Sequence, residues 1–251
     1  MQDKYVADIG DWGKYGLLRA LASDGIPLSV IWYLVHDEPG PDGRYIEYLG
    51  KPKTYKAIDA TLFDRLRGLV DRRAVAAVQA SGVLPENSLY FDERLVLDDI
   101  PALSPDGRKK RSERRATWFA KALGIAQAGG VVFVDPDNGF ECASVRPHSK
   151  KGPKYVAWSE AKQLVGADWT LVAYHHLNRA KKGTTHTQQI EAVAERLQGL
   201  APTSTVVGLR FKAYQSRAYM VVVPEADPAG TLPLLEQFLA SGWSEFFARV
   251  V

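Results

Sequence analysis

The chain has 251 residues, 46% of them hydrophobic and 24% charged, with a formal net charge of +3. That length carries one α/β domain with a full core, and the single cysteine, Cys142, excludes an internal disulfide and a cysteine zinc cage. No apolar run reaches the roughly 18–20 residues that span a bilayer and no secretory core follows Met1, so the expectation is a cytoplasmic protein. The mild basic excess permits a nucleic-acid partner without requiring one.

Near the start, Asp8, Asp11, Trp12, Lys14 and Tyr15 form a polar and aromatic cluster. Asp11 is placed to cap a helix through Leu17, Leu18, Ala20 and Leu21, which Gly25-Ile26-Pro27 ends. Residues 28–35 (LSVIWYLV) read as a buried strand, continuous, apolar and β-branched. The strand runs into a loop rich in glycine, proline and acid that holds His36, Asp37, Glu38 and Gly40. Short helices are predicted over 60–70 and 73–81, a short strand over 88–91 and a loop over 101–107. Residues 108–115 then hold six basic side chains in eight, Arg108, Lys109, Lys110 and Arg111 among them. A basic loop or helix insertion is expected around 101–120 of a single domain spanning 1–251, with a helix over 113–128.

The apolar run Val131-Val132-Phe133-Val134 leads straight into Asp135-Pro136-Asp137-Asn138-Gly139. A basic loop over 140–153 carries Lys150 and Lys151, with Lys154 just beyond, and Ser159 is placed to cap a helix to Leu164. A second apolar strand over 169–174 runs into His175-His176-Leu177-Asn178-Arg179. A helix over 187–199 comes next. Strands over 206–211 and 218–223 are joined by a Gln215-Ser216 turn too tight for a crossover, so they pair antiparallel. Thr231 caps a last helix and an edge strand falls within 243–251. Strand–helix alternation makes this an α/β chain: a Rossmann-like, mostly parallel sheet with helices on both faces and a C-terminal antiparallel hairpin.

In open α/β sheets, ligands bind beyond the carboxyl ends of the strands. Asp135, Asp137 and Asn138 are delivered there. Pro-Asp-Asn-Gly is also turn chemistry in its own right, but two acids and an amide exceed what a turn requires. Asp135, Asp137 and Glu141 are hard oxygen donors of the kind that hold Mg²⁺ or Mn²⁺ for phosphodiester or nucleotide hydrolysis. Side chains alternate along a strand, so His175 and His176 face opposite sides; one reaches the cleft as a general base or sits hydrogen-bonded in the core. Asn178 and Arg179 lie past the strand end, where an arginine clamps phosphate. The basic segments 108–115, 146–154 and 181–182, with Trp118, Tyr155 and Trp158 between them, suit a phosphate backbone or form solvated faces. A non-catalytic nucleic-acid-binding module is a third possibility.

One family shares this order of signals. A short polar segment and helix (residues 8–18) precede a first strand over 31–36, with Gly43-Arg44-Tyr45 after it; Asp135-Pro136-Asp137-Asn138 ends the fourth strand, Ala173 to His176 the fifth, and a hairpin over 209–223 closes the chain. The layout resembles class I S-adenosylmethionine-dependent methyltransferases, and within them the large-subunit ribosomal-RNA adenine-N6 methyltransferase family. The resemblance implies an enzyme that transfers a methyl group to a base amine of RNA or DNA. It implies S-adenosylmethionine held by Asp11, Lys14, Tyr15, His36, Asp37 and Gly40. Asp135 would then orient the amine, with Asp137, Asn138, His175 and His176 around the acceptor. Phe140 would stack on a flipped base, and Lys150, Lys151, Lys154, Asn178, Arg179 and residues 108–111 would hold the substrate. The chain departs from the family at two points: His36 to Gly40 stand where its Gly-x-Gly turn falls, and Asp137-Asn138 replace the second proline and the aromatic of Asp-Pro-Pro-Tyr.

Overall fold

The computed structural model describes residues 1–40, 43–166, 168–178, 184–214 and 217–251. The strands are β1 (Leu28–Ile31), β2 (Leu89–Phe91), β3 (Val131–Val134), β4 (Gly139–Phe140), β5 (Tyr155–Val156), β6 (Thr170–His176), β7 (Thr205–Phe211), β8 (Arg217–Val223) and β9 (Phe247–Arg249). The α-helices are α1 (Ile9–Leu21), α2 (Pro52–Tyr55), α3 (Ala60–Arg67), α4 (Val75–Ala80), α5 (Pro105–Leu123), α6 (Trp158–Leu164), α7 (His186–Leu200) and α8 (Thr231–Ala240). Seven strands form one mixed sheet in the order β2-β1-β3-β6-β8-β7-β9, and β4 pairs with β5 apart from it. The first four strands are mutually parallel. The chain then places antiparallel β8 between β6 and β7 and closes the edge with antiparallel β9. This is a Rossmann-like α/β fold. No helix among the described residues is long and apolar enough to cross a membrane.

Continuous apolar runs make the central strands because both faces of the sheet are covered. Val131 and Phe133 join a core against α1, α3, α4 and α8, while Val132 and Val134 join a core against α5, α6 and α7. The same alternation sends Val172 to the first face and Leu171 and Ala173 to the second. It also sets the side on which the next residue of β3 leaves the sheet: Asp135 emerges on the α1 face.

α1 approaches the sheet closely because it presents Gly10, Gly13 and Gly16 at three-residue spacing. A Cβ at these positions would lie 2.8 Å from the Arg217 guanidinium, 2.5 Å from the Phe211 ring and 2.2 Å from the Trp243 ring. Trp12, fully buried on the same helix, packs among Tyr55, Trp243 and Phe246.

Several boundaries differ from the sequence reading. The cap of α1 is Asp8, whose Oδ1 accepts the backbone N–H groups of Gly10 and Asp11 at 2.6 and 3.3 Å; Asp11 lies inside the helix and turns inward. β1 ends at Ile31, and Trp32 to Val35 continue buried but outside the ladder. α5 begins eight residues before the predicted start, because Ser104 caps it with a 3.0 Å bond from the Gly107 N–H and Pro105 occupies the first turn. α6 starts at Trp158, one residue before Ser159, with the Glu160 carboxylate accepting the Ala157 N–H at 2.9 Å. Thr231 is the first residue of α8 rather than its cap, and Asp227 takes the free N–H groups of Thr231 and Leu232. The Gln215-Ser216 turn lies outside the described residues.

Candidate active site

A cleft of about 280 Å³ opens on the α1 face at the carboxyl ends of β3 and β6. Its floor is an ion cluster. Lys14 Nζ donates to Asp11 Oδ1 and to Asp135 Oδ2, each at 2.7 Å, and all three side chains are at most 5% exposed. Asp11 Oδ2 accepts the Tyr15 hydroxyl at 3.2 Å and the Ala7 N–H at 3.0 Å. Helical spacing brings Asp11, Lys14 and Tyr15 to one face; Asp135 reaches them from 121 residues away because β3 ends under α1.

Burial alone would discharge these groups, and their pairing resists it. Burial lowers the Lys14 ammonium, yet Asp11 and Asp135 together hold it well above its ordinary value. Burial raises the carboxyls of Asp11 and Asp135, against the pull of Lys14. Asp137 goes the other way: burial raises it, but the Met1 ammonium at 2.8 Å, Gln2 and Lys154 bring it below the usual carboxylate range. The Met1 ammonium also donates to the Tyr33 and Asp135 carbonyls at 2.7 and 3.0 Å, so the first residues fill the crevice between the ends of β1 and β3.

The far wall belongs to β6 and β8. Tyr174 and His176 line the cleft and His175 does not, as alternation along β6 requires. His175 turns to the opposite face, where its Nδ1 accepts the Phe140 N–H at 3.2 Å and its ring crowds Gly139. Gly139 holds a positive φ of 94°, and a Cβ there would lie 2.2 Å from His175 Nδ1. Burial holds the His175 imidazole down to about 4, with His176 adding to the effect. An Nδ1 that accepts a backbone N–H must be unprotonated, so the hydrogen bond gives the same direction. Opposite His176 in the ladder stands Arg217. Its Nη2 donates to Asp8 Oδ2 at 3.2 Å, and Asp8 raises the guanidinium against the opposing effect of burial. Its Nη1 is buried and has no acceptor among the described residues.

The structure therefore unites part of the expected set. Asp135, Asp137, Asn138, His176, Asp11 and Lys14 line one cleft, and Tyr15 supports it from behind through Asp11. His36, Asp37 and Gly40 are exposed and do not line it, because the chain leaves the sheet early and Asp37 instead accepts the Lys4 N–H at 3.3 Å. Glu141 does not join Asp135 and Asp137; its carboxylate caps α6 at the Trp158 N–H, 3.2 Å away. Among the described residues no group of three acids, histidines or cysteines is arranged to hold a metal. Phe140 is 2% exposed and stacks on Trp158 at 4.9 Å, so it is no platform for a base.

The basic run is divided by helical phase. Arg111 and Arg115, four residues apart, point inward. Arg111 donates to the carbonyls of Leu97, Ile100, His148 and Ser149. Arg115 pairs with Glu160 at 2.6 Å and donates to the Gly152 and Tyr155 carbonyls. Both fasten the loop after β4 and do not face a substrate. Lys109, Lys110 and Arg114 are exposed and lie beside Glu113, Asp106 and Asp99; Arg108 is exposed and donates to the Leu103 carbonyl at 2.7 Å. None of these lines the cleft. Lys150 and Lys151 are exposed. Lys154 pairs with Glu38 and lies 3.6 Å from Asp137. Asn178 is exposed, and its backbone N–H and C=O bond the Gln189 amide. Arg179, Lys181 and Lys182 lie outside the described residues.

Sequence reasoning missed Arg217 and Tyr174 as cleft residues. The available signal was a charged residue opening the otherwise uncharged strand RAYMVVV, on the same alternation as Tyr219. Compared with known proteins, the chain matches no family model and no curated sequence.

Proposed function

We propose that the cleft is the catalytic site of a methyltransferase-like transferase that acts on an amine, with a nucleobase amine of RNA or DNA as the first candidate acceptor. One observation carries the reading. Asp135 stands at the end of β3 and faces the cleft together with Tyr174 and His176 of the neighbouring strand, in a sheet whose antiparallel β8 is inserted between β6 and β7. This strand order is similar to that of the class I enzymes, and the likeness supports reading Asp135 as the counterpart of their catalytic acid.

Lys14 engages Asp135 Oδ2 and fixes the carboxylate plane. Oδ1, on the other side of the carboxylate, would accept an N–H from an amine and turn its lone pair toward the donor. Asp137 is held ionised beside it and His176 bounds the acceptor side. S-adenosylmethionine would supply an activated methyl group. The cleft suits its charged end, since the carboxylates of Asp11, Asp135 and Asp137 and the Arg217 side chain border one space. Asp11 and Lys14 are the residues of the expected cofactor set that border this space; His36, Asp37 and Gly40 do not.

Calorimetry with S-adenosylmethionine, and separately with Mg²⁺ and Mn²⁺, tests the reading. Saturable cofactor binding is expected, with methyl transfer from labelled cofactor to RNA or DNA that Asp135→Asn abolishes while cofactor binding persists. Binding of a divalent ion with no response to the cofactor would replace transfer by hydrolysis.

A further inference from the structure

We propose that Arg217 is an oxyanion anchor: the cleft takes a ligand carrying a carboxylate or a phosphate, and that group binds the Nη1 side of the Arg217 guanidinium. This rests on the cleft being the ligand site, but on neither the methyl group nor a base.

The guanidinium is fixed before any ligand arrives. Arg217 is 6% exposed and borders the cleft. Asp8 holds Nη2, and Asp8 is itself fixed as the cap of α1. Gly10 lets the first turn of α1 lie against the guanidinium, where any side chain would collide with it. The Tyr174 hydroxyl adjoins the same group. Yet Nη1 has no acceptor among the described residues. A buried donor left unmatched is destabilising, and the fold commits a glycine and a buried aspartate to hold it in that state. Arginine presents parallel N–H groups that match the two oxygens of a carboxylate or phosphate. Of the other cations bordering the cleft, Lys14 is held by Asp11 and Asp135 and the Met1 ammonium by Asp137 and the Tyr33 and Asp135 carbonyls, so neither takes this role. The arrangement thus separates two duties: Lys14 neutralises the internal acids, and Arg217, at the border of the cleft, keeps an N–H unmatched.

Isothermal titration at constant ionic strength tests this with the whole protein and three probes: inorganic phosphate, adenosine 5′-monophosphate and methionine. Arg217→Lys keeps the charge and the Asp8 pairing but removes the forked donor; circular dichroism checks its fold. At least one probe is expected to bind saturably, and the Lys variant to weaken it tenfold or more. Phosphate and nucleotide binding without methionine identifies a phosphate ligand, and methionine binding alone identifies an amino-acid carboxylate; either supports the anchor. Unchanged affinity in Arg217→Lys, or no saturable binding of any probe, overturns it. Should the Lys variant not fold, wild-type crystals soaked in selenate decide: an anomalous peak within hydrogen-bond reach of Nη1 is expected, and a cleft without one refutes the proposal. The two readings fail separately. Phosphate binding with no response to S-adenosylmethionine removes the transferase and leaves the anchor. Cofactor binding insensitive to Arg217→Lys, with no phosphate or methionine binding, does the reverse.

Discussion

Replacing Lys14 with Met tests whether the floor of the cleft is held by charge. Met preserves the length and apolar stem of the side chain and deletes the ammonium. Asp11 and Asp135, each 2.7 Å from that ammonium and almost fully buried, then face one another with no cation between them. Removing one partner of a buried ion pair costs about 3–5 kcal/mol. For a domain this size each kcal/mol lowers Tm by roughly 2–4 °C, so a fall on the order of 10 °C is expected in thermal unfolding at pH 8. The variant's loss should also depend on pH in a defined sense. Both carboxyls are already raised by burial, and losing Lys14 raises them further. A folded-state value above the unfolded one favours the protonated form, so stability rises as pH falls and drops as pH rises through the folded value. Urea unfolding at pH 5 and pH 8 should therefore find the variant less penalised at pH 5, by up to about 1.4 kcal/mol per pH unit within the titration range. Adding Asp135→Asn should restore part of the loss, with a coupling of at least about 1 kcal/mol. A loss under 1 kcal/mol at pH 8, or one independent of pH, would show that the cluster is not held as an ion network.

Other perturbations probe the same contacts. Gly13→Ala drives a methyl into the Phe211 ring and should cost about 1–3 kcal/mol in urea unfolding. Gly199→Ala, near the end of α7 with open space around it, should instead stabilise by about 0.5–1 kcal/mol, and an opposite ranking would discredit the close-approach account of α1. Arg111→Met strands four carbonyls and should cost about 2–4 kcal/mol, whereas Lys109→Ala should stay within about 0.5 kcal/mol; equal effects in differential scanning calorimetry would return Arg111 to the surface. His175 is held near 4 in the fold against about 6.5 when unfolded, so its contribution is present above pH 6.5 and lost as pH falls toward 4. Because the residue is partly exposed, the loss is expected at about 2–3 kcal/mol. His175→Gln should flatten that acid limb, and an unchanged acid profile would count against an imidazole kept neutral by the fold.

The sequence alone determined the layers of this fold. Apolar runs at 131–134 and 169–174 can be buried only in a sheet covered on both sides, and an acid directly after such a run must emerge at a strand end; the place of Asp135 is a consequence of those two facts. Asp11 and Lys14 were legible as members of one polar cluster, but Asp11 read as a cap, and it is the cap at Asp8 that puts it inside α1 on the face of Lys14. Three-dimensional packing decided which members of similar pairs face the cleft. Alternation placed one histidine on each side of the sheet, but only the position of α1 made His176 the cleft residue and left His175 against Phe140. Within 108–115, helix phase against the loops at 97–100 and 146–155 turned Arg111 and Arg115 inward and left their neighbours exposed. The loop at 36–40 was expected at the cleft because the apolar run continues to Val35, yet the ladder ends at Ile31 and the chain's first residues take that space. Arg217 meets Asp8 across 209 positions. Local periodicity encodes such residues one element at a time, whereas their burial and partners arise from contacts between elements distant in the chain.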